Sequence, residues 1–266
     1  MSRVPASSIP PVRLSRLAPV RAEARKVRRA APLRVALIAP LPFCALGLLA
    51  SGIVPGRSAG VVGFGTYGWC YWYTLGLPVA AALIVASVAN LDARHRLRSV
   101  LGLPIEPARV WWAKAMVSLG LMLASCAVVG ICSGVAHAAG ANAPGFVASA
   151  AIALIVTAAS WWMIPAGLML ACRFGMLAGI AVPLLAQIAL GIVGGSSGVW
   201  WLVPSAVAFR APSPFSGVEF SGIPLAAGSP SGVIDATWVA GLAVAVGVGV
   251  LLTVLGARWF SKREAI

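Results

Sequence analysis

Charge, and negative charge above all, is what this sequence has least of. Six Asp and Glu residues stand in 266 positions, beside two histidines and lysines at positions 26, 114 and 262 only. Charged residues make up 10% of the chain and hydrophobic ones 60%, and the mean hydropathy is +0.95. A water-soluble globule of this length needs polar cover and cannot hide that much apolar surface. A soluble catalytic domain is therefore excluded, and a bilayer is the solvent that the composition requires.

Other absences narrow the chemistry. None of Lys26, Lys114 and Lys262 is followed by Ser or Thr, so the chain has no G-x-x-x-x-G-K-[ST] loop through which to hold ATP. Cys44, Cys70, Cys126, Cys132 and Cys172 form no C-x-x-C pair. With so few histidines, free thiols filling helix interfaces are expected rather than a zinc site. No cofactor is expected. Ion-coupled transport uses ionisable residues within the membrane, yet the cores of the apolar runs hold none, and Gln187 is their strongest polar candidate. Net charge is +14, but the basic residues lie in gaps too short to fold a polar face for nucleic acid.

Two short motifs match enzyme signatures. Gly63-Phe64-Gly65-Thr66-Tyr67-Gly68 fits G-x-G-x-x-G, but a dinucleotide site needs a strand before it and an acidic residue about 20 positions on, so it reads as a flexible external loop. Gly195-Ser196-Ser197-Gly198 and Ala136-His137-Ala138-Ala139-Gly140 resemble patterns of rhomboid-like serine proteases. In that family the histidine follows the serine, and here no histidine follows Ser196. An intramembrane serine hydrolase stays as the alternative of another class, since a Ser/His contact would suffice for it.

What is there is a series of apolar runs of spanning length, near 35–53, 68–90, 113–136, 146–170, 176–195 and 237–257. Nine Lys/Arg precede the first run, five lie in 91–114, Arg173 sits between the fourth and fifth, and three follow the last. Only Arg57 and Arg210 fall on the other side. The expected fold is thus an all-α integral membrane protein of six helices in the cell membrane, both termini cytoplasmic. It divides into a basic arm and interfacial helix (1–31), a transmembrane domain (32–258) and a tail (259–266).

Residues 1–19 read as a disordered arm. In 20–31, Val20, Ala24, Val27 and Ala31 recur at helical spacing among arginines, which suits a helix on the inner leaflet bound to anionic lipid. In 91–112, Asp92 can cap a short helix that Gly102 and Pro104 end. Leu97, Val100 and Leu101 share its apolar face with Ala93, bordered by Arg94 and Arg98. That helix either lies on lipid or docks a cytoplasmic partner. A new helix then starts at Glu106-Pro107. The external segment 196–236, studded with Trp, Phe and Pro, either lies in the outer interface or dips back into the protein. Gly175/Gly179 and Gly191/Gly195 have G-x-x-x-G spacing, which serves subunit contacts and packing within the chain equally well.

This layout resembles type-2 ABC exporter permeases. Arg98-Ser99-Val100-Leu101-Gly102-Leu103-Pro104-Ile105 through Lys114 is similar to the passage after their second span. Trp200-Trp201-Leu202-Val203-Pro204 leading to Arg210, Ser221-Gly222-Ile223-Pro224-Leu225, and Trp161-Trp162-Met163-Ile164-Pro165 resemble the lantibiotic-immunity subfamily, which often has Asn-Gly where this chain has Ser221-Gly222. The resemblance implies two permease subunits, identical or paralogous, joined to two ABC ATPase subunits that hydrolyse ATP, and export of antimicrobial peptides; a permease for other lipophiles or drugs is the alternative. It makes 92–102, with Asp92, Arg94, Leu97, Arg98, Val100 and Leu101, the ATPase-coupling helix. Trp200, Trp201, Pro204 and Arg210 become candidates for an external substrate loop.

Overall fold

The computed structural model describes residues 18–52, 63–93 and 106–262. Among them no strand forms beyond one isolated bridge, Val218 with Pro224. Five helices are long and apolar enough to cross a membrane, and a bent pair makes a sixth when counted as one span.

The basic segment begins as α1 (Ala18–Val27). The first span is α2 (Ala31–Ile38) and α3 (Leu41–Ala50), apolar together over Ala31–Ala50. Pro40, at the joint, has no N–H to give to the carbonyl of Ala36. The Ser125 hydroxyl of the third span donates to that oxygen instead, at 2.6 Å. The second span opens with two π-helical stretches, Gly65–Cys70 and Trp72–Gly76, and continues as α4 (Leu77–Ala93). Within the wide turns Thr74 Oγ1 donates to the Cys70 carbonyl at 2.7 Å, a back-bond that competes with the regular ladder.

The third span is α5 (Pro107–Ala138), started by a proline in its first turn as expected. Its 32 residues span about 48 Å, more than the hydrocarbon core of about 30 Å, so its first turns stand in the interface. The fourth apolar run is a bent pair, α6 (Phe146–Ala159) and α7 (Met163–Phe174), which meet at 42° and form either one broken span or a re-entrant loop. Pro165 cannot donate to the Trp161 carbonyl, and Ile164 N–H takes it at 3.0 Å. The fifth span is α8 (Met176–Gly195).

The second span is the central pillar. Of its apolar window 67% is buried, against 22% for the first and fifth spans. Trp69, Trp72, Tyr73, Leu77, Ile84 and Val85 on it are fully enclosed. The G-x-G-x-x-G stretch is therefore not a flexible loop. Gly65 to Gly68 belong to the pillar's first turns, and Gly68 lies under the Phe64 ring, where a Cβ has no room.

The glycines of α8 face inward too. A Cβ on Gly179 would lie 2.6 Å from Ala171, and one on Gly195 would touch Phe220 at 3.5 Å. Gly175, at φ +92°, is the turn between α7 and α8. Gly179, Gly191 and Gly195 thus pack within the chain, whereas Gly175 is exposed and has no contact of this kind.

Helix α1 begins at Ala18, earlier than the expected arm boundary. It docks on α5 by Pro19, Glu23 and Val27, not by the Val20–Ala24–Val27–Ala31 stripe, in which Ala24 and Ala31 are exposed. Glu23 is the reason. It is buried, and its carboxylate accepts from Lys114 Nζ at 3.2 Å and from Lys26 Nζ at 2.7 Å. Lys114 is buried as well, so the charge in the third span's first turns is matched by one 91 residues away. Beside this pair, Trp111 Nε1 donates to the Thr253 carbonyl at 3.0 Å. The Trp111 ring packs against Trp259 and Phe260 of the last helix. Both described ends of the chain thus lie at one end of the bundle.

Asp92 falls in the last turn of α4. Arg94, Leu97, Arg98, Val100 and Leu101 lie outside the described residues.

Removing one partner of a buried pair leaves the other charge uncompensated, at about 3–5 kcal/mol. Glu23→Gln should therefore lower thermal stability in detergent by several degrees and expose α1 to protease. The paired Glu23→Leu and Lys114→Met replacement should restore most of the loss. Equal melting of the single variant and the parent would show that the pair does not hold α1.

Candidate functional site

The other end of the bundle is closed by the segment between α8 and the last span. After a 3-10 turn at Trp200–Leu202 come α9 (Pro204–Arg210) and α10 (Ser213–Ser216). A small hairpin over Gly217–Leu225 follows, then α11 (Ala236–Lys262), the sixth span. The segment dips back into the protein. Along α8, a Cβ on Gly194 would lie 2.9 Å from Ala206 and one on Gly191 2.5 Å from Phe209, so glycine alone lets α9 lie this close. Gly241 of α11 gives the same room to Trp201 and Val207. Ala206, Val207, Ala208 and Phe209 are buried as a result.

The hairpin is stitched to the π-helical turns of the second span. Thr66 Oγ1 donates to the Gly222 carbonyl at 2.7 Å. The Cys70 thiol reaches the carbonyls of Phe220 and Glu219 at 3.4 and 3.6 Å. Gly222 has φ +84°, a left-handed turn conformation that glycine adopts freely, and its N–H closes the turn onto Glu219 at 2.9 Å. Trp238 Nε1 donates to the Ala211 carbonyl at 3.0 Å and moors the cap to the sixth span. Asp235 caps that span: its Oδ1 accepts the Trp238 N–H at 2.8 Å. This bond, helped by the Thr237 hydroxyl, holds the Asp235 carboxyl below its ordinary range. A lowered folded value gives a contribution present above the unfolded value of about 3.9 and lost as pH falls through the folded one.

The pillar's own polar side chains are sealed inside the bundle: Trp69, Trp72 and Tyr73 are fully buried, Trp72 packs edge-on against Phe43 of the first span, and Trp69 lies beside Gly130 of the third.

The four external residues singled out from sequence come together, but as moorings. Trp200 is buried with the Arg210 guanidinium 4.9 Å from its ring centroid. Trp201 is half-buried against Gly241, and Pro204 starts α9. The exposed apolar groups of the cap are instead Val199, Leu202, Ile223, Val233 and Ile234; no spacing rule marks them in the sequence.

Gln187 is fully buried, and its Oε1 accepts from Trp162 Nε1 at 3.0 Å. It braces the break in the fourth span. Ser196 and His137 are not hydrogen-bonded to each other: Ser196 Oγ donates to the Val193 carbonyl, and His137 Nδ1 meets the Ala143 carbonyl. All five cysteines are free thiols, with Cys44, Cys70 and Cys126 buried.

An alanine at Gly222 meets two penalties: the left-handed backbone, at about 1–2 kcal/mol, and Thr66 Cγ2 at 3.1 Å from the new Cβ. Gly222→Ala should release the hairpin and open 217–225 to protease, and Gly191→Ile should unseat α9 through Phe209. Proteolysis of both variants at the parent's rate would show that the cap does not depend on these contacts.

The chain matches no known family model, no curated protein and no solved structure.

Proposed function

We propose that the chain is the membrane-spanning permease subunit of an ABC exporter, expelling lantibiotic-like antimicrobial peptides from the cell membrane. The observation that carries this reading is the cap. An apolar segment between the fifth and sixth spans is folded onto the pillar, with Leu202, Ile223, Val233 and Ile234 exposed on it. Such a surface fits the apolar face of an amphiphilic peptide.

The energy source is supplied from outside the chain. The sequence has no P-loop, and the buried charge of the third span is neutralised by Glu23 near the helix start. ATP hydrolysis then belongs to an ATPase subunit on the cytoplasmic side, with a second permease subunit, identical or paralogous, completing the exporter. The basic asymmetry places both termini in the cytoplasm. A permease for other lipophiles or drugs would use the same apolar surface.

Force must reach the spans through a rigid cytoplasmic contact. The stretch with Arg94, Leu97, Arg98, Val100 and Leu101 joins the pillar to the third span and is our choice for it. Leu97→Asp, or Val100→Asp with Leu101→Asp, should reduce co-purification of the ATPase and peptide resistance at least tenfold while membrane insertion stays intact. Parent-level co-purification and resistance would refute the coupling role. Orientation is checked in intact cells in a background with the native cysteines replaced. Ala227→Cys should react with an impermeant maleimide and Lys262→Cys should not; the reverse pattern would invert the topology and remove the exporter reading.

A further inference from the structure

At the opposite end from the cap, a cleft of about 410 Å³ opens between α1 and α5, lined by Pro19, Val20, Arg109, Trp112, Ala113 and Met116. The last four recur at i, i+3, i+4 and i+7 and so share one face of α5. Arg109 stands at the mouth, with its side chain 55% exposed. Met116 lies about 10 Å deeper along the helix. Ala113 is the buried floor and Trp112 a half-buried wall. The cleft is thus charged at its mouth and apolar below, at the depth where the long third span leaves the hydrocarbon.

We infer that this cleft is a binding site for one anionic phospholipid, its phosphate at the Arg109 guanidinium and an acyl chain against Trp112, Ala113 and Met116. The argument is charge complementarity joined to shape. Arg21, Arg25, Arg28 and Arg29 are exposed on α1. The nearby carboxylates are engaged, Glu23 with Lys26 and Lys114 and Glu106 with Arg109 at 3.3 Å. Among the described residues Arg21, Arg25, Arg28 and Arg29 form no ion pair, an excess of guanidinium that favours phosphate oxygens through paired N–H bonds. A tryptophan beside the mouth suits the headgroup level. The segment before Ala18 is a poor occupant, because it brings Arg3, Arg13 and Arg16 and no acid. The lipid would fill the space on the Val20 side of α1 and hold the helix where Glu23 has seated it.

The test uses the full chain in detergent and native mass spectrometry, with phosphatidylglycerol and phosphatidylcholine of equal chain length. The chain should retain one phosphatidylglycerol at roughly tenfold lower lipid concentration than phosphatidylcholine. Arg109→Gln removes the phosphate contact, and Val20→Trp fills the cleft from the α1 side. Each should abolish that preference, whereas Arg173→Gln, an equal loss of charge elsewhere, should leave it intact. Added phosphatidylglycerol should raise the melting temperature of the parent but not of Arg109→Gln. Equal retention of the two lipids, or parent-like preference in both cleft variants, would overturn the site. Loss of preference in Arg173→Gln to the same degree would reduce it to general charge attraction. No retained lipid on the parent would leave the cleft to the chain's own first 17 residues.

Discussion

A backbone carbonyl that loses its helical partner inside the hydrocarbon has no water to turn to. Each break in this bundle is arranged around that fact. The Ala36 oxygen, left free by Pro40, is met by Ser125 from another span. The Trp161 oxygen, left free by Pro165, is taken one residue early by Ile164. The Thr253 carbonyl accepts Trp111 as a second donor where two helices cross, and the hairpin carbonyl of Gly222 accepts Thr66. These side-chain donors decide which helices meet, because an apolar surface has little to gain by leaving lipid for another apolar surface. Packing then follows where small residues allow it, as at Gly179 against Ala171 and Gly241 against Trp201.

The spans were legible because length and apolarity are local properties, and a run of about 20 apolar residues needs no partner to be recognised. The helix start at Pro107 was legible for the same reason, and so was the turn of the external segment back toward the protein as one of two choices. What depended on contacts distant in sequence was not. Glu23 sits among arginines and reads as one more surface charge until Lys114 is placed beside it. The π-helical start of the pillar reads as a glycine-rich loop, since Gly63 to Gly68 carry no strong helix formers and the contacts that hold them, at Gly47, Asn142 and Ser216, lie far along the chain. Trp200 and Arg210 meet in the folded cap, but the spacing of Trp200, Trp201, Pro204 and Arg210 does not distinguish a mooring from a contact surface.

The inward use of the α8 glycines also bears on assembly. The lipid-facing side of that span is left to Leu177, Val182, Leu185, Leu190, Ile192 and Val193, all exposed. Large side chains of this kind hold a neighbouring helix at an ordinary interaxial distance of about 8–10 Å and rule out the close backbone approach that glycine permits. A second subunit meeting the fifth span would do so over a broad, rough face rather than a narrow glycine seam.

The Glu23–Lys114 pair sets an order of events during synthesis. The carboxylate emerges 91 residues ahead of its partner. At a ribosomal rate of about 5–20 residues per second, that is a wait of roughly 5–18 s. Throughout it Glu23 has Lys26 of its own helix for a partner, and Val27 has Ala36, Ile84 and Val88 of the first two spans. The long-range pair closes when the third span arrives, and this end of the protein is completed only when the last helix brings Trp259 and Phe260 to Trp111.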